Sequence, residues 1–197
     1  MDAALRAPEF TPDQVAELAR AESRVVPGRG CGSCSMCCKV PSIEELGKPA
    51  GQWCRHCRPG KGCAIYDTRP YSCRGHFCEW MLSTGLGAEW KPDKAKIVLV
   101  RRPGRLTAHV DPGFPGAWRR TPFYENIKAW AAAGLQKSPQ MEIVDVMIGE
   151  HAIIVLPDRE VEVGVVAADE VVVVDRIATP QGLRYNVRKA KRETAAA

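Results

Sequence analysis

All nine cysteines of this 197-residue chain lie between Cys31 and Cys78, and none follows. Thiolates crowded this closely repel one another unless a cation compensates them. A disulfide framework staples a whole chain and normally uses an even number of cysteines, so this odd, local set argues against one. The opening MDAALRAPEFTPDQ has neither the basic n-region nor the apolar h-region of a signal peptide, which leads to an expectation of reduced thiols in the cytoplasm. The longest apolar runs, 153–156 and 171–174, are far too short to cross a bilayer, so no membrane role is expected. Metal binding is the first inference, before any motif is considered.

The first cluster reads Cys31-Gly-Ser-Cys34-Ser-Met-Cys37-Cys38. A C-x-x-C turn brings two sulfurs onto one ion and points backbone N–H groups at them. Two such turns overlap here, as in the first three ligands of a bacterial ferredoxin run. The fourth ferredoxin ligand would fall at Pro41, and the radical-SAM spacing fails at the same position. Any further ligand therefore comes from the second set: Cys54, Cys57, Cys63, Cys73 and Cys78. Adjacent side chains point in different directions, so Cys37 and Cys38 rarely serve one tetrahedral ion. Either one of them is not a ligand or the module holds more than one metal. Nine sulfurs suffice for two Cys₄ sites with one left over, or for an iron–sulfur cluster plus a separate ion. His56 and His76 sit inside cysteine pairs, but with so much sulfur available they read as a loop histidine and a helix-surface histidine. His109 and His151 read as ordinary sheet residues.

The segment Gly62-Cys63-Ala-Ile65-Tyr66-Asp67-Thr-Arg69-Pro70-Tyr-Ser-Cys73-Arg74, together with Cys31-x-x-Cys34-x-x-Cys37-Cys38, resembles the bacterial CxxCxxCC family of zinc- or iron-chelating cysteine-cluster domains. Cys54 and Cys78 fall where that family carries cysteines, whereas Cys57 is extra to its usual eight. The resemblance covers residues 30–80 and implies metal chelation. Some longer flagellin lysine-methylating enzymes are similar in this module, which keeps an enzymatic role open. Within the segment, Ile65 and Tyr66 are expected to wedge the module onto a small core. Asp67 and Arg69 are expected to pair or cap, and Arg69 and Arg74 to neutralise sulfur charge.

The expected fold class is α+β: a loop-rich N-terminal cysteine-cluster module with short helices, then a mostly antiparallel β-sheet with one covering helix. Residues 1–29 form a helical lead-in, with Thr11, Pro12 and Gln14 as a capping box and Phe10 against Val15 as a staple. Residues 30–91 form the module, with a capping-box helix at Ser42–Glu45 and a second helix from Pro70 to Leu82 carrying Cys73 and Cys78. Residues 92–187 form the β-rich region: a hairpin over 96–111, a helix over about 121–135, then five strand-like runs from 140 to 187 as an antiparallel meander or small barrel. Residues 188–197 form a flexible tail.

Three functions are weighed. The first is a cytosolic metal-binding protein holding zinc or iron, with the overlapping run leaning toward an iron–sulfur cluster and the β-rich region available to a protein partner. The second is an iron–sulfur or metal-dependent enzyme, redox or protein methyl/group transfer; no phosphate loop, G-x-S-x-G elbow or H-E-x-x-H helix supports another chemistry. The third, a zinc-ribbon-like nucleic-acid module using the basic segment 94–120 with Trp90 and Trp118, ranks last because it needs those charges on one face.

Overall fold

The computed structural model describes residues 9–137, 139–167 and 169–192. Helix α1, Pro12–Glu22, starts on the expected capping box: Thr11 Oγ1 accepts from Gln14 N–H, and Gln14 Oε1 accepts from Thr11 N–H. The staple does not form. Val15 is exposed, and Phe10 packs instead on the ring of Tyr71, 5.9 Å between centroids.

The module that follows is mostly loop. Its regular pieces are a two-residue ladder of β1 (Cys57–Arg58) and β2 (Gly62–Cys63) and two one-turn helices, α2 (Tyr71–Arg74) and α3 (Glu79–Leu82). The single helix expected over 70–82 is therefore broken. Residues 75–78 run out of the helix so that Phe77 and Cys78 can pack with Met36, Val40 and Met81, and this burial outweighs local helix propensity. Cys73 stays in α2, while Cys78 caps α3 from an extended conformation. The capping box at Ser42–Glu45 is replaced by a 3₁₀ turn over Glu44–Leu46. Glu45 reaches away to accept from the Ser72 backbone N–H at the start of α2.

A short helix α4 (Pro92–Ala95) leads into the hairpin of β3 (Ile97–Arg102) and β4 (Arg105–Val110). Helix α5, Phe123–Leu135, then crosses over to β5 (Ile143–Ile148), followed by β6 (His151–Val155) and β7 (Glu160–Val165). The five strands form one sheet in the order β3-β4-β5-β6-β7. The β4–β5 pair is parallel, because the α5 crossover returns the chain in the same direction; the other pairs are antiparallel. The fold is α+β, with a mixed sheet in place of a pure meander. Strands β8 (Glu170–Thr179) and β9 (Gly182–Lys191) make a separate hairpin, so the strand continues through four residues expected in the tail; 193–197 lie outside the described residues. None of the described helices is long and apolar enough to cross a membrane.

Period-two alternation gives the sheet two different faces. Leu106, Ala108 and Val110 of β4 and Val144 and Val146 of β5 point to α5, where Ile127 and Ala131 meet Trp90, Trp118 and Phe123. On the other face, Val98 packs against the cysteine module, and the β6 end is covered by Val172 and Val174 of β8.

Gly134 of α5 sits against the backbone carbonyl of Glu142, leaving no room for a Cβ, whereas Gly116 faces open space. Gly134→Ala is expected to destabilise the chain by about 1–3 kcal/mol through overpacking. Gly116→Ala should shift the urea midpoint little, and equal midpoints for both variants would refute the close packing.

Candidate metal centre

All nine cysteines are free thiols. They surround two hollows. The smaller, about 20 Å³, is lined by Cys31, Cys34, Cys37 and Cys78 together with His76 and Met81. The larger is a cleft of about 440 Å³ between the module and the sheet. Cys38, Cys54, Cys63 and Cys73 line it, and Cys31, Cys34 and Cys37 reach it as well. Cys57 stands opposite Cys63 in the β1–β2 ladder, outside the cleft lining but with its thiol against Cys38. As they stand, no three His, Cys, Asp or Glu side chains among the described residues converge into a ready ligand group.

Local structure explains the division. The 3₁₀ turn Met36–Cys38 presents the neighbouring cysteines differently: Cys37 lines both hollows, Cys38 only the larger. Met36 is buried and anchors the turn in the second core. Cys34 N–H closes on Cys31 C=O, and Cys54 N–H on Cys38 C=O, so backbone bonds gather the sulfurs.

Seven of the thiols are raised above the ordinary thiol value. Cys38 is pushed up, first by its hydrogen-bonding contact with Cys37 and then by burial. Burial leads for Cys57, Cys73 and Cys78, each pushed up to about 11, with neighbouring cysteines adding to it. Burial also raises Cys31, Cys34 and Cys63. Three cations oppose this: Lys91 at Cys34, and Arg69 and Lys48. Arg69 lies over the Tyr66 ring, 3.6 Å to its centroid, and its charge favours the thiolates of Cys31 and Cys63. Lys48 is buried, its ammonium donating to the carbonyls of Lys39, Pro41 and Pro49, and its charge bears on Cys38. Nothing in the sequence around Lys48 signals that role.

Several expectations are corrected. Tyr66 is exposed rather than wedged into a core, and Asp67 makes no ion pair with Arg69 among the described residues. Arg74 does not face sulfur: it donates to the carbonyls of Asp67 and Arg69 and stacks on Phe10. His56, as expected, is a loop histidine; its Nε2 accepts from Arg55. His76 is not on a helix surface. Its Nε2 is enclosed without a partner, and burial, then the charge of Arg102, pushes the imidazole down to about 4. His109 likewise lines the cleft and is pushed down to about 4 by burial, with the neighbouring His76 next. The polar alternation Arg105, Thr107, His109 along β4 is the signal that could have found this wall. Much of the basic segment is internally compensated: Arg101 pairs with Glu79 and Glu142, Arg105 with Asp145, and Arg119 with Glu160. No protein-family model, curated protein or solved structure matches the chain.

In the metal-free chain, alkylation of Cys57 is expected to quicken about tenfold per pH unit from pH 8 and to level off near its pKa of about 11, not near the ordinary thiol value. Iodoacetamide labelling read by mass spectrometry checks this, and a plateau near pH 9 would contradict it.

Asp145, on β5, is buried and accepts from Thr107, 3.0 Å; burial pushes its carboxyl up to about 6. The folded chain therefore holds a proton that the unfolded chain has already lost. This favours folding below pH 4 and is lost as pH rises through about 6. The wild type should lose up to about 3 kcal/mol over that window relative to Asp145→Asn, measured by urea unfolding. Thiol titration is common to both chains and cancels, so parallel pH profiles would exclude the shift.

Proposed function

We propose that this chain is a cytoplasmic metal-binding protein whose cysteine module holds zinc or iron at two sulfur centres. One is formed by Cys31, Cys34, Cys37 and Cys78, and the other by Cys38, Cys54, Cys63 and Cys73, with Cys57 at its edge. The observation that carries this reading is the shared lining. Four cysteines surround a hollow of about 20 Å³, the scale of a single ion, while four others face the open cleft. The division would also give Cys37 and Cys38, neighbours that rarely serve one tetrahedral ion, to different centres. The resemblance to the CxxCxxCC family points the same way.

The donor chemistry fits. All nine cysteines are free thiols, neighbouring sulfurs oppose the ionisation of several of them, and Lys48 and Arg69 only partly relieve the charge they would carry as thiolates. A bound metal would supply the missing positive charge and cross-link loops that have little core of their own; iron with sulfide would add one-electron chemistry. The larger hollow has room for an iron–sulfur cluster, which supports the lean toward iron at that centre. An enzymatic reading is favoured by one further observation, the width of the cleft beyond what an ion fills. A protein partner could meet the apolar side chains left exposed at Val165, Ile177 and Leu183.

Plasma-emission metal analysis and an absorption spectrum of anaerobically purified protein test the proposal. A brown protein that bleaches with dithionite identifies iron–sulfur, and a colourless zinc-loaded one identifies zinc. Cys34→Ser and Cys73→Ser should each remove about half of the bound metal, because they strike different centres. Full metal content in both variants, or none in the wild type, would refute it.

A further inference from the structure

The wall of the cleft facing the sulfurs is built from the other face of the sheet. Arg102 comes from β3, Arg105, Thr107 and His109 from alternate positions of β4, and Asp145 from β5. Thr107 and Asp145 are register partners across the parallel pair. A face that is apolar at Val98, where the module seals it, becomes polar where the cleft opens.

This wall is rich in donors. The one carboxylate, Asp145, is already engaged by the Thr107 hydroxyl and by Arg105, 3.6 Å from its oxygen. Arg102 makes no ion pair and no side-chain hydrogen bond among the described residues, although every other arginine of the β3–β4 hairpin is paired. His76, which also lines the cleft, presents an enclosed Nε2 with no partner. Val100 and Met147 flank the polar patch with apolar surface. A volume of about 440 Å³ lies in the range of small-molecule pockets.

We propose that the sheet wall of this cleft binds a small organic oxyanion, a carboxylate or a phosphate ester, held by the Arg102 fork and the His109 ring between the sheet and the sulfur module. A planar guanidinium binds either group bidentately, and a ring N–H adds a directed donor. The site goes beyond the metal reading and does not require it.

Calorimetric titration of the full chain with malonate and, separately, with glycerol 3-phosphate tests the site and distinguishes the two oxyanions. Metal per chain is measured on the same samples. One probe should bind with single-site stoichiometry. Arg102→Gln and His109→Gln should each weaken it about tenfold or more, with metal content unchanged. Absence of binding by both probes, or equal binding by the variants, would overturn the proposal. Loss of metal in Arg102→Gln would overturn it too, since the arginine would then serve to neutralise thiolates. A chain that carries no metal yet binds a probe would sink the metal reading and leave this one standing.

Discussion

Strands β3, β4 and β5 are shared by two packing partners, and the rest of the molecule is arranged around that sharing. Ile97 and Leu99 belong to the core under α5, whereas Val98, between them, belongs to the core under the cysteine module. A register slip of one residue would exchange the two sets and face Arg105, Thr107 and His109 into the helix core. The register is pinned from both sides: by the aromatic packing of Trp90, Trp118 and Phe123, and by the Lys39–Asp111 ion pair, 2.7 Å, which ties the module to the end of β4.

The second constraint is electrostatic. Burial raises most of the thiols, and their mutual fields raise several further, so the module as folded favours protons on sulfur. A few buried positive charges reduce that cost without removing it. Lys48 is held by three carbonyls, a geometry that fixes an ammonium where a freely moving one would drift to solvent. The sequence spacing left open which sulfurs share a site; in the fold Cys31, Cys34 and Cys37 line both hollows, Cys78 only the smaller, and Cys38, Cys54, Cys63 and Cys73 only the larger.

The α+β class, the α1 cap, the 96–111 hairpin, α5 and every β-rich run were legible because they rest on local periodicity and turn chemistry. The parallel β4–β5 pair was not, since only the α5 crossover imposes it. The break at 75–78 was hidden for a similar reason: Phe77 and Cys78 leave the helix for a core built partly from Val98, a strand away. The nine cysteines were legible as a set, but the wall opposite them was not. His109 and Asp145 become site residues only when the sheet face that carries them meets a module more than thirty residues earlier in the chain.

That meeting bears on how a loop-rich module keeps nine thiols together. Its own regular structure is slight, and much of its order is imposed from outside. Arg29 donates to the carbonyls of Ser83 and Leu86, Val26 N–H bonds Met81 C=O, and Val98 fills the floor of the second core. Donors gathered by such contacts have already lost much of the chain entropy that an incoming ion would otherwise have to offset. The sheet therefore acts on the sulfur module twice. It restrains the loops from one side, and it closes a cleft whose opposite wall is polar, so that any chemistry at the sulfurs would face a surface built for something other than packing.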